Sequence, residues 1–133
     1  MLVYAVGGAH PLAGPARGLV AAIEGGRVPG TTTVEVIQEF VQVRSRRRDR
    51  ADAAALGRDF ATLLSPLLSP GADELEAGLA LFEQTALGAF DAVLAAATIS
   101  RGDVLVSADG AFSATPGLEL APLDGPWVGA IVE

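Results

Sequence analysis

The sequence predicts an α/β fold, a three-layer α/β/α sandwich in which helices cover both faces of a central parallel sheet. Three observations predict it. Short apolar segments alternate with longer amphipathic ones, the pattern of successive βα units. Glycine and proline pairs punctuate them, as at Gly7-Gly8, Gly25-Gly26 and Pro70-Gly71. The chain has 133 residues, the size of one domain with a real hydrophobic core, and carries no internal repeat, linker or low-complexity tract.

Leu2 to Val6 is a short apolar piece that Gly7-Gly8 cuts off. Leu12 to Ile23 reads as a helix, interrupted by Gly14-Pro15 and ended by Gly25-Gly26. Val28 to Thr31 reads as a short strand. Thr33 to Arg46 has the apolar spacing of an amphipathic helix. A further helix runs from about Asp52 to Leu64, with Asp49 or Asp52 as its cap. Pro66 to Ser69 reads as a strand closed by Pro70-Gly71. Asp73 to Gln84 is helical, its acids gathered in the first turn where they complement the helix dipole. Leu87 to Ser100 is an apolar helix expected to be buried all round. Val104 to Ser107 and Gly117 to Leu120 are the last strands, and residues 121–133 form an irregular tail.

Composition narrows the chemistry. There is no cysteine, which excludes disulfides, zinc-thiolate centres and thiol nucleophiles. A net charge of −7 argues against broad electrostatic attraction to nucleic acid or anionic membrane. All nine basic residues are arginine, and five of them fall between Arg44 and Arg50. That run has two readings. It is a cationic helix end favoured by the dipole, or a contact to phosphates made by Arg44, Arg46, Arg47 and Arg48. No apolar run approaches the ~18 residues of a membrane span, and no basic segment opens a signal peptide, so a cytoplasmic location is expected.

The acids carry the functional signal. At ~100° per residue, Val34, Val36, Ile37, Phe40, Val41 and Val43 span an apolar arc of roughly 180°. Glu39 lies about 40° beyond the Val43 edge and Glu35 about 80° beyond, so Glu39 is the better candidate for a half-buried carboxylate. Asp91 stands early in an almost wholly apolar helix, either to favour the helix N-terminus or to hold a cation. Asp109 precedes Gly110, a common turn pair, yet it also falls just past the carboxyl end of a predicted parallel strand, where open α/β sheets place ligands. Arg101 is the one basic residue after Arg58, too few to neutralise both aspartates. His10, in a Gly-Ala-His-Pro loop, reads as a surface residue. A metal site in this chain must therefore use oxygen ligands, which suit magnesium or manganese.

Three stretches in this order resemble the PIN-domain ribonucleases, specifically the VapC-type toxins of bacterial toxin–antitoxin systems. They are Thr33-Val-Glu-Val-Ile-Gln-Glu39-Phe, Gly88-Ala-Phe-Asp91-Ala-Val-Leu-Ala-Ala-Ala, and Leu105-Val-Ser107-Ala-Asp109-Gly-Ala-Phe112. The resemblance runs from Leu2 to about Leu120. It implies a central parallel sheet between helices, and clustered acids that bind Mg2+ or Mn2+ for RNA cleavage. It assigns Glu39, Asp91 and Asp109 as catalytic metal ligands and Ser107 as a supporting residue, and it gives Glu35 no catalytic part. Some relatives carry another acid two residues after the Asp109 position, where this chain has Ala111.

Members of that family open with a short strand ending in Asp-Thr-Asn or similar, whose aspartate is the first metal ligand. Met1 to Val6 resembles the helix that follows it. The chain is accordingly expected to be a single PIN-like domain, 1–133, that lacks the first strand, either through a misplaced start or as a true truncation. The resemblance further implies an RNA substrate, a cognate antitoxin and a homodimer. The alternative is a catalytically impaired PIN-fold protein that binds an antitoxin or a toxin subunit.

Overall fold

The computed structural model describes Met1–Glu133. The helices are α1 (Leu2–Val6), α2 (Ala13–Glu24), α3 (Val34–Arg44), α4 (Arg50–Leu63), α5 (Ala72–Gln84), α6 (Ala89–Arg101) and α7 (Pro126–Val132). The strands are β1 (Val104–Ser107) and β2 (Glu119–Pro122), with a 3-10 turn at Gly110–Ala114 between them. The fold is α/β, mostly helical, with one parallel sheet. The chain divides into two compact units, Met1–Ser69 with Gly129–Glu133, and Pro70–Val128.

In the first unit α3 and α4 begin at the side-chain caps their sequence offers. The Thr33 hydroxyl accepts the Val36 N–H at 3.2 Å and opens α3, while the Asp49 carboxylate accepts the Asp52 N–H at 2.7 Å and opens α4. The Gly14-Pro15 pair does not interrupt α2. It falls in the first turn, where the N–H that proline lacks has no intrahelical acceptor to lose. The core holds Leu2, Phe40, Phe60 and Leu64, with Phe40 and Phe60 edge to face at 5.2 Å. Arg44 locks three helices together. Its Nε donates to Asp52 Oδ2 at 2.8 Å and its Nη1 to the Val6 carbonyl at 3.2 Å, so the end of α1, the end of α3 and the start of α4 meet on one guanidinium.

The expected strands at 28–31 and 66–69 do not form. Pro29 and Pro66 lack ladder donors and Gly30 adds nothing to pack, so extended pairing shrinks to one parallel bridge, Thr33 with Leu68. That bridge keeps two hydrogen bonds, Val34 N–H to the Leu68 carbonyl at 3.0 Å and Leu68 N–H to the Thr32 carbonyl at 2.9 Å.

The second unit is built on α5 and α6. Gly78 is where they touch: a Cβ there would meet Val93 Cα at 2.8 Å and Val93 N at 3.0 Å. The α6 face is small enough for this approach, with Ala92, Ala95, Ala96 and Ala97 all buried. α6 is nevertheless not buried all round, since Phe90 is 41% exposed. Its first turn projects outward, and only the alanine-rich part is enclosed. The helix ends at Gly102, whose left-handed φ of 69° a side chain would strain. β1 and β2 pair in parallel with Val104 opposite Glu119 and Ser107 opposite Pro122. Leu87, Ala92, Ala95 and Phe112 form the core, with Leu105 and Leu120 packed against it.

The tail is ordered, against expectation. β2 extends to Pro122, and Pro126 starts α7, a position where a missing N–H and a fixed φ favour helix. Val128 is fully buried, and within the first unit Val132 lies against Gly18. Three of the chain's exposed large apolar residues, Leu75, Leu79 and Phe82, share one stripe of α5 at helical spacing. No single helix is long and apolar enough to cross a membrane.

Candidate active site

The residues assigned from the sequence divide between the units. Glu39 belongs to the first, on α3; Asp91, Ser107 and Asp109 belong to the second. Within neither unit do three acidic or histidine side chains gather into a metal-holding group.

Asp91 is half-buried in the first turn of α6, where the aligned peptide dipoles favour a negative charge. Asp109 follows β1 by way of Ala108. Its Oδ1 accepts the Ala111 N–H at 2.9 Å, and its own N–H donates to Ser107 Oγ at 3.0 Å. Both readings of Asp109 thus describe one residue: it shapes the Asp-Gly turn, and it sits past the carboxyl end of a parallel strand. Ser107 is held in turn, because its carbonyl accepts the Leu123 N–H at 3.0 Å. The serine fixes the backbone of Asp109 from the strand side, and the cap fixes its carboxylate from the turn side.

The two glutamates of α3 exchange the burial expected of them. Glu39 is exposed, whereas Glu35 is half-buried with Oε2 fully enclosed and without a hydrogen-bond partner. The helical wheel ranked them by distance from the apolar arc, but burial depends on what packs beside each turn. Glu39 also faces a charge the wheel does not contain. The Met1 amine lies within its electrostatic reach: burial pushes that amine below its ordinary pKa of 8.0, and the Glu39 carboxylate opposes the shift.

The remaining candidates sort by what they touch. Arg44 is engaged inside the first unit by Asp52 and Val6, while Arg46, Arg47 and Arg48 are exposed. His10 is a surface residue that serves its own loop, accepting the Leu12 N–H on Nδ1 at 3.1 Å and stacking on Tyr4 at 4.6 Å. Arg101 is paired with Asp103 at 2.8 Å. The donors left for a cation are carboxylate oxygens, a set that fits magnesium or manganese and not a soft metal.

Comparison with known proteins places these residues in a family context. The family described as PIN domain matches residues 1–118. The chain is also similar to Ribonuclease VapC7 of Mycobacterium tuberculosis (strain ATCC 25618 / H37Rv), with 57% identity over 116 residues, covering 85% of this chain and 80% of that protein.

Proposed function

The chain belongs to the PIN-domain family, and on that premise we propose that it is a VapC-type endoribonuclease toxin that hydrolyses RNA phosphodiester bonds and is neutralised by a cognate antitoxin. The observation that carries this reading is the 57% identity to a ribonuclease over most of both chains. The family match across residues 1–118 spans the stretches that hold Glu39, Asp91 and Asp109 as well as the cores around them.

Glu39, Asp91 and Asp109 would hold the divalent cation, Mg2+ or Mn2+. When bound, such an ion lowers the pKa of a water and offsets charge on the phosphorane-like transition state. The chain's own contribution is placement. Asp91 is anchored on a helix whose alanine face is locked against the core. Asp109 is held on both sides of its Cα, by Ser107 and by the cap to Ala111. Side chains fixed in this way lose little freedom on meeting a ligand, which favours binding.

The same reading includes a homodimer and a cytoplasmic location. The exposed Leu75–Leu79–Phe82 stripe on α5 supports a partnered surface, because a contiguous apolar face is seldom left in water.

Asp91→Asn tests the site directly. The variant keeps side-chain size and helix, so its circular dichroism should match the parent. RNA cleavage should fall by about 100-fold or more, since even partners behind a metal's direct ligands are typically worth 10–100-fold. Cleavage at the parent rate would remove Asp91 from the site.

A further inference from the structure

We propose that the loop between α3 and α4, Ser45–Asp49, is an RNA-backbone contact made by Arg46, Arg47 and Arg48, and that Arg44 is the clamp that positions it without touching RNA. The proposal rests on the ribonuclease reading and deepens it.

The loop is built as a rigid turn. Arg46 N–H donates to the Val43 carbonyl at 3.2 Å, and Arg47 and Arg48 N–H both donate to the Arg44 carbonyl at 3.0 Å. The Ser45 hydroxyl closes on the Gln42 carbonyl at 2.8 Å. The backbone is therefore satisfied by itself, and the three guanidinium side chains are exposed. The acids nearest in sequence are committed elsewhere: Asp49 caps α4, and Asp52 receives Arg44. The α3 C-terminus favours positive charge, and Arg48 Nη1 donates to the Arg47 carbonyl at 3.4 Å, yet three adjacent exposed cations also repel one another and add nothing to the core. A phosphate backbone would offset that repulsion, because each arginine presents a fork of donors matched to phosphate oxygens. In a chain of net charge −7 this is the one concentrated positive patch that such a polyanion can meet.

Arg44 differs in kind. Its side chain is only 16% exposed, and two of its three nitrogens are engaged, Nε on Asp52 and Nη1 on the Val6 carbonyl. Its carbonyl is also the acceptor that turns the loop. Moving Arg44 therefore moves the loop, while its charge is held mainly against Asp52.

Salt dependence separates the two roles. The probe is a fluorescein-labelled single-stranded RNA oligonucleotide of mixed sequence, titrated with the intact chain in EDTA across a potassium chloride series. Each arginine removed from the phosphates should reduce the slope of log K against log salt by about 0.7. R46A/R47A/R48A should flatten the slope by about 2, one increment for each arginine, and weaken binding at physiological salt by more than tenfold. Arg44→Met and Asp52→Asn should weaken binding only a few-fold, lower the melting temperature and leave the slope unchanged. An unchanged slope in the triple variant, with the parent still cleaving RNA, would overturn the loop contact and leave the ribonuclease reading standing. A slope reduced by Arg44→Met as much as by one loop arginine, and kept by Asp52→Asn, would overturn the clamp. A parent chain that neither binds nor cleaves RNA would overturn both readings.

Discussion

Glu35 carries a cost that the fold makes plain. Its Oε2 is enclosed and lacks a hydrogen-bond partner, a state that costs about 1–3 kcal/mol. Its place in the first turn of α3 returns part of this through the helix dipole, about 0.3–1 kcal/mol. Glu35→Leu should therefore stabilise the chain by about 1 kcal/mol, read from chemical denaturation, and leave RNA cleavage unchanged. Loss of cleavage with the fold intact would place Glu35 in the site and contradict its exclusion. The sequence identified the two glutamates of α3 but inverted their burial. A helical wheel sees one helix, whereas the exposure of Glu39 and the enclosure of Glu35 are set by the elements beside them. Arg44 was hidden for the same reason. In sequence it heads a basic run, and only the fold brings Asp52 and the Val6 carbonyl to its fork.

Among the elements, the α5–α6 pair depends most on a single side chain, or on the lack of one. Gly78→Ala gains up to about 1 kcal/mol in helix propensity. It also drives a Cβ against Val93 Cα at 2.8 Å and Val93 N at 3.0 Å, an overpacking worth about 1–3 kcal/mol. The variant should unfold at lower denaturant than the parent. Adding Val93→Ala should restore only part of the stability, since it removes the Cγ2 contact at 2.7 Å and leaves the backbone contacts in place. Full restoration would show that the side chain, and not the backbone, sets the spacing. The helices were legible from caps and spacing: Thr33 and Asp49 open α3 and α4 as their types predict. The strands were less so. Val104 to Ser107 forms β1, but the apolar pieces at 28–31 and 66–69 contain prolines and form no strand, and the one bridge there joins Leu68 to Thr33, just past the first piece. α7 was missed because a seven-residue helix offers too few turns for a periodic signal, although Pro126 marks its start.

For the molecule as a whole, fold class and family were readable because the order of three motifs survives uncertainty in each one. Glu39-Phe, Asp91 before an alanine run, and Ser107-Ala-Asp109 after an apolar strand are individually commonplace. Together they match a family that covers residues 1–118. The acid balance supports the chemistry, since oxygen donors without cysteine suit a hard divalent ion. The central claim is that this chain cleaves RNA with such an ion held by its acids. It is tested most directly by incubating the purified parent chain, freed of antitoxin, with cellular RNA in Mg2+ or Mn2+ and again in EDTA. The account predicts discrete cleavage with either metal and none in EDTA, with activity restored when the metal is returned. Cleavage that continues unchanged in EDTA, or no cleavage with either metal from a folded chain, would contradict it.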